Sequence, residues 1–494
     1  MGLVNEESMK KIYLIIAMYV LCQGGISAQL SIPSDNVDLI LDSVKVPAST
    51  RYAPASFLRK IFTGKNYRKE WSTPVTLPVL DLEKTGLAIV KMGGGMQTKS
   101  LRLVDKQGRE WALRTVDKFA EGAVPPGLRN TLAEKVVQDM ISASYPYAAV
   151  TVGALAEAIG ITAPRPVVYF VPDADFLGPY RTHFANLVCY LEKREPVPGT
   201  LETGEVMFEK LDDNDNLLLQ KEILRARLLD MLIADWDRHE GQWLWAEKDS
   251  AGSKYHYPVP LDRDQAFFMS GGLISKIAKL LAMPHINSFK KKSNNIRNLS
   301  YKSWEFDRFF LNSLNAQEWT TEILKFREML TDQVIEKAVQ KLPREVYAIS
   351  GPEIISILKS RRDGMLVNAM KYYQFLSTSV DVAGTNEDEI FRISSKDGMT
   401  LTAFTSDNGR PGKKLYERNF RSSETKEVVI YGLEGDDHFI VEENVDDDIR
   451  LHIYGNRGKD VYDIKGSVKS KIFDFKKDDN LMLHTGSSRV LFED

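Results

Sequence analysis

Two acidic motifs separated by a hairpin constrain this chain more than any other feature: DWDRHEGQW (235–243) and PLDRDQAFF (260–268). Residues 243–247 and 254–259 between them are rich in aromatic and β-branched side chains, and the turn 248–253 contains Gly252, so the pattern predicts two antiparallel strands. A hairpin returns the chain to where it began. Asp235 and Asp237 are therefore predicted to lie beside Asp262 and Asp264, and carboxylates crowded together repel one another unless cations join them.

At 494 residues the chain exceeds one ordinary core, and its length predicts about three domains. A hydrophobic fraction of 43%, a charged fraction of 27% and a formal net charge of −3 are those of a globular protein and give no general reason to expect nucleic-acid binding. Residues 1–28 end in the pattern of a secretory signal: Lys10 and Lys11, an apolar run from Ile12 to Cys22, and small residues up to a predicted cleavage after Ala28. The polar stretch before Met9 points to translation starting at Met9. Lipidation at Cys22 is the alternative, with Leu21 a poor preceding residue. Only Cys189 would remain after cleavage, so stability must come from packing, as suits a bacterial envelope protein that is periplasmic or associated with the outer membrane.

Residues 29–85 read as an extended lead-in broken by prolines such as Pro47 and Pro74. Three strands follow at 86–92, 96–105 and 109–118, the first turn being Gly93-Gly94-Gly95. Helices are predicted from 128 to 160, strands at 167–171 and 187–191, and long helices at 217–234, 316–341 and 352–376. Alternating short strands then occupy 381–494. There YGLEGDDHF (431–439) and YGNRGKDVY (454–462) repeat, in a pattern similar to the calcium-binding β-roll nonapeptide, with Leu433 and Asn456 in place of its second glycine. The repeat reads either as a solenoid edge or as a calcium site fed by Asp446-Asp447-Asp448.

The acidic hairpin by itself outlines a magnesium-dependent phosphoryl-transfer site, because phosphate-bridging magnesium takes hard oxygen ligands. Gly93, Gly94 and Gly95 would let backbone N–H groups approach phosphates, or form only a tight turn. The order of WALR (111–114), LRNTLAEKVV (128–137), NLVCYLEKRE (186–195) and the two acidic motifs resembles the protein-kinase-like fold, especially the secreted atypical kinases of the CotH and Fam20 type. That resemblance spans residues 86–380 and implies an α+β chain: a two-lobed kinase-like core, with a small lobe at 86–195 and a helical lobe at 196–380, followed by the β-rich domain 381–494.

Carried over, the resemblance implies a phosphotransferase or a nucleotide-binding pseudokinase, with Asp237 the catalytic carboxylate, Asp262 the principal metal ligand and Asp264 a second one, and with ATP and magnesium or manganese as cofactors. The alternative is that Asp237, Arg238 and His239 form a buried ion pair and cap that hold the loop. Gln242 stands where many such kinases have a metal-binding asparagine. Arg114 occupies the place of the phosphate-binding lysine, with Lys118 four residues on; either one pairs with Glu134, or all three are surface charges. Lys290-Lys291-Lys292 with Arg297 read as a solvated basic loop or as an acceptor site for acidic protein or lipid headgroups. The same carboxylates also suit a second enzyme reading, two-metal phosphoester hydrolysis. The layout is similar to soluble regions that accompany outer-membrane barrels or metallophosphoesterases, which implies a non-catalytic envelope module with a barrel partner. No HExxH helix, G-x-S-x-G elbow or Walker lysine motif occurs in the chain.

Overall fold

Alternation of leucines with polar residues builds the first sheet. In the computed structural model, which describes residues 42–493 apart from 53–55, 95–97, 123, 125, 251, 282–284, 294, 396–397 and 446–447, five strands form it: β1 (Ala88–Gly94), β2 (Lys99–Val104), β3 (Glu110–Thr115), β4 (Val167–Val171) and β5 (Leu187–Lys193). They run antiparallel in the order β1-β2-β3-β5-β4. Leu101 pairs with Leu113, and Leu113 with Leu191, which stacks the leucines in a core of their own with Leu103 and Phe184. The third strand stops at Thr115, short of its predicted end, so that Asp117 and Lys118 lie on the segment leaving the sheet. The signal segment and the first part of the lead-in lie outside the described residues.

The rest of the lead-in is more regular than its prolines predict. Ser43–Val46 pairs with Val75–Pro78, and two short helices, Phe57–Thr63 and Arg68–Ser72, lie between them. Arg68 grips Asp139 on the helix Leu132–Met140 through bonds of 2.7 and 2.6 Å, so the lead-in holds that helix in place.

A second core gathers the helix Gln220–Ile233, the hairpin β6 (Trp243–Ser250) and β7 (Ser253–Pro260), and the later helices. The single helix predicted at 316–341 is two, Ala316–Met329 and Asp332–Val339, because the Thr331 side chain accepts the Val334 N–H at 3.2 Å and starts a new helix. That predicted at 352–376 likewise becomes Arg344–Asp363 and Met365–Ser377, divided at Gly364.

From Ser379 the chain winds between two sheets. One is β8 (Ser379–Ala383), and the other opens with β9 (Glu389–Ser395) and the long hairpin β10 (Met399–Asp407) and β11 (Arg410–Phe420). Then β12 (Glu427–Leu433), β14 (Arg450–Asn456), β16 (Ser470–Phe475) and β18 (Arg489–Glu493) extend the first sheet in parallel, while β13 (His438–Val441), β15 (Val461–Ile464) and β17 (Leu481–His484) extend the second. The Tyr-Gly repeat sits in register, Tyr431 opposite Tyr454, with rings 5.1 Å apart. Gly458 is needed because a Cβ there would lie 1.8 Å from the Gly435 carbonyl oxygen of the turn beneath. Leu433 and Asn456 adopt φ of +82° and +71°, a left-handed conformation that glycine takes more easily.

The aspartates of these turns serve the backbone. Asp437 accepts the Glu389 N–H at 2.8 Å, and Asp460 accepts the Asp437 N–H at 2.9 Å, so each carboxyl caps an adjoining rung. Asp436 accepts the Lys459 N–H at 2.8 Å in a parallel, more exposed ladder. Of the acidic run expected to feed a calcium site, Asp446 and Asp447 lie outside the described residues.

Candidate active site

The helix Gln220–Ile233 ends against the guanidinium of Arg361, which donates to the Leu232 carbonyl at 2.7 Å and to that of Met231. Ala234 then takes a left-handed φ of +57°, turning the chain into the loop that carries Asp235 and Asp237. Beneath this loop, the fully buried Asp230 receives Arg227 at 2.8 Å, Arg263 at 2.9 Å and Arg238 at 3.3 Å. Arg238 also donates to the Leu261 carbonyl at 2.6 Å. One guanidinium thus fixes both acidic motifs to each other. Burial works to raise the Asp230 carboxyl, but Arg238, Arg263 and Arg227 together hold it below the usual range.

Above lies a cleft of about 710 Å³ between the sheet and the two acidic segments. Asp237, Asp262, Asp264 and Gln242 line its floor, and Gly93, Gly94, Arg114 and Lys118 its roof and back. Lys118 meets Asp264 at 2.5 Å, while Arg114 meets Glu192 at 3.2 Å and Asp262 at 3.7 Å. Asp237 is paired with Lys302. Gly94 has φ +131°, and a Cβ there would sit 2.5 Å from the Thr98 carbonyl oxygen, so this position is restricted to glycine on steric grounds, whereas Gly93 has room for a side chain. A larger hollow of about 1000 Å³ lies by Trp111, Glu157 and Arg165 and contains none of these acids.

Arg102, Arg114, Lys118, Arg194, Arg263 and Lys302 line the cleft against Glu192, Asp237, Asp262 and Asp264, so its charge leans positive even though acids crowd its floor. Desolvation, then the adjoining Asp264 carboxylate, pushes Asp262 above the ordinary carboxylate range, against the pull of Arg114 and Lys118. Desolvation also pushes Glu192 up, with Arg114 opposing. For the Lys118 ammonium burial acts downward, but Asp264, Asp262 and Asp237 outweigh it and raise the group. Asp262 is held at φ +47°, a backbone conformation that costs about 1–3 kcal/mol and that surrounding contacts must maintain. The buried Gln242 carbonyl oxygen, Oε1, has no hydrogen-bond partner. Asp262 and Asp264, which repel one another, and the Gln242 amide, which lines the same cleft, are oxygen donors of the kind a hard divalent cation takes.

Two expected site residues stand elsewhere. Asp235 is turned under the loop, accepting the Asp237 N–H at 3.1 Å and Arg238 at 3.2 Å, and burial pushes it up to about 7. The hairpin therefore brings three carboxylates to the cleft, not four. Glu134 accepts the Asn130 N–H at 2.6 Å at the start of its own helix and does not line the cleft. It is Gln138, one turn later, that reaches Lys118, donating to its backbone carbonyl at 2.8 Å. Gly95 lies outside the described residues.

Glu192, Lys302 and Asp230 went unpredicted as parts of this site. Glu192 had a signal, since it follows the alternation of β5 toward the face that carries Arg114. Lys302 lies 65 residues beyond Asp237 and had none.

No protein-family model matches the chain, and no curated protein matches it in sequence. Solved kinases share a distant structural likeness over about three-fifths of it. The proinflammatory kinase CtkA of Helicobacter pylori is 10% identical, with 60% of this chain and 99% of that chain covered and a TM-score of 0.33. The Rio2 kinase of Chaetomium thermophilum is 11% identical, covering 59% and 75%, at a TM-score of 0.29. Its ADP/Mg2+-phosphoaspartate complex is 12% identical, covering 57% and 72%, at 0.26. Scores this low carry no functional argument, so any reading of activity rests on the cleft itself.

Proposed function

We propose that the chain is a kinase-like phosphotransferase that binds a nucleoside triphosphate with magnesium or manganese in this cleft. The observation that carries the reading is the convergence of Asp237, Asp262, Asp264 and the unpartnered Gln242 oxygen with Arg114 and Lys118 beneath a glycine turn. Asp262 and Asp264, with Gln242, would hold the ion. Bound there, it supplies neutralisation of β- and γ-phosphate charge. Arg114 and Lys118 would grip phosphate oxygens, the arginine through its planar fork. Asp237, released from Lys302, would accept the hydrogen bond of the attacking hydroxyl and orient it.

The exposed Lys290, Lys291 and Lys292 would receive an acidic protein or lipid-headgroup acceptor, since their backbone is held by Arg361 and Ser360 while their side chains face solvent. Export to the periplasm or outer membrane, and a barrel partner there, belong to the same proposal. One observation favours a second reading, nucleotide binding without turnover: Lys118 is bound to Asp264, and no carboxylate of the neighbouring helix engages it.

Titration calorimetry of ATP with magnesium or manganese, on the wild type and on Asp262→Ala, tests the proposal. Metal-dependent binding that the variant loses is the expected result. No binding to either folded protein would overturn it and leave phosphoester hydrolysis or an envelope scaffold. Phosphate transfer by a protein that binds ATP would then decide between the two nucleotide readings.

A further inference from the structure

Away from the cleft, the far end of the same hairpin carries a second cluster. Glu209 on the helix Thr203–Asp212, Glu247 on β6 and His256 on β7 each place a ligand atom within 4.8 Å of the others. Acidic groups alone would mean little here. His256, however, is fully buried, and its Nδ1 has no hydrogen-bond partner. With the ring hydrogen assigned to Nε2, which has Asn216 Oδ1 at 3.2 Å, Nδ1 is left as a lone pair 3.9 Å from the Glu247 carboxylate. A lone pair facing a carboxylate is repulsive unless a cation lies between them. The Glu209 Oε2 is likewise buried without a hydrogen-bond partner; it lies 3.5 Å from Nε2, on the other side of the ring nitrogen pair from Glu247.

We propose that Glu209, Glu247 and His256 form a zinc site that clamps the helix Thr203–Asp212 to the hairpin. One imidazole and two carboxylates suit zinc, and three protein ligands leave a fourth position for water. Lys254 is the positive group that faces the cluster, 3.3 Å from Glu247 and 3.8 Å from Glu209. Its ammonium holds the carboxylates when metal is absent, and its 38% exposure lets it swing to solvent when zinc enters.

The test uses the full chain stripped by a chelator, then titrated with zinc against a chromophoric competitor, as wild type, Glu247→Gln, His256→Asn and Asp262→Ala. We expect one tight equivalent in the wild type and in Asp262→Ala, weakened at least about tenfold in the other two. The Glu247 side chain is 34% exposed, so Glu247→Gln keeps its fold even where the buried histidine variant does not, and its metal-free melting temperature should match the wild type. Wild-type affinity in Glu247→Gln, no zinc uptake by the wild type, or loss of the equivalent in Asp262→Ala would each overturn the site. Because Asp262→Ala empties the cleft alone, failure of this site and failure of the phosphotransferase reading are separate results.

Discussion

Asp230 beneath the cleft and Asp437 in the β-rich region are each 1% exposed, yet they are stabilised in opposite charge states. Three arginines surround Asp230 and hold it ionised. Around Asp437 there are backbone amides and other acids; burial first, then Glu389 and Asp460, pushes it up to about 10, so it stays protonated. Burial disfavours the charged form of both. What differs is the partner, and the partner decides what each acid does. An ionic hub sets the geometry of two loops, whereas neutral carboxyls stitch identical rungs at little electrostatic cost.

The sharpest way to break this comparison is to neutralise each acid. Asp230→Asn keeps the shape but leaves three buried guanidiniums short of a counter-charge, and is expected to cost about 3–5 kcal/mol in denaturant unfolding. Asp437→Asn replaces a neutral group by a neutral group and should cost less than about 1 kcal/mol. Equal losses would mean that Asp437 is ionised after all.

The same contrast has a pH signature of smaller size. Glu389 and Asp460 are pushed up to about 7 by burial, and Asp437 to about 10. The native β-rich region therefore holds protons that its unfolded chain gives up above the ordinary carboxylate range, and its stability falls as pH rises from about 4 to about 7, the Asp437 share continuing to fall up to about 10. Each group contributes at most about 1.4 kcal/mol per pH unit. Asp230, with its pKa depressed, acts the other way, and the stability it supplies is lost as pH drops below that range. Hydrogen exchange, resolved by region, should show opposite slopes, and Asp437→Asn should flatten the one in the β-rich region.

Sequence made the acids that line the cleft legible and hid the buried ones that hold them in place. Asp237, Asp262 and Asp264 could be placed because hairpin pairing follows from alternation alone, and Trp243 does lie opposite Pro260. Asp235 could not, since nothing local says that Arg238 will draw it under the loop. Arg227 and Asp230 lie within an apolar helical pattern that conceals which polar residues point inward. The break after Met329 was masked by apolar periodicity continuing on both sides, with Thr331 as the only punctuation. The long hairpin at 399–420 was detectable: Asn408 and Gly409 have φ of +52° and +78°, as the Asn-Gly turn requires.

Within the cleft the next test is Gln242→Met, which keeps volume and removes the unpartnered oxygen. Manganese affinity, followed by electron paramagnetic resonance, should fall roughly tenfold. Stability should change by less than about 1 kcal/mol, because the oxygen removed makes no hydrogen bond. Lost stability with unchanged metal affinity would place Gln242 in the scaffold instead.

The smallest effect expected separates the helix from the chemistry. Glu134 caps the first turn of Leu132–Met140, where a negative charge also meets the positive end of the helix dipole. Glu134→Gln should therefore cost about 0.3–1 kcal/mol in thermal unfolding and leave nucleotide affinity untouched. Gln138 is different, because its amide joins Lys118 to the helix, accepting also the Ala120 N–H at 2.9 Å. Gln138→Ala should weaken nucleotide binding while Glu134→Gln does not. If Glu134→Gln instead weakens binding tenfold, the helix must turn on nucleotide binding so that Glu134 replaces Asp264 as the partner of Lys118.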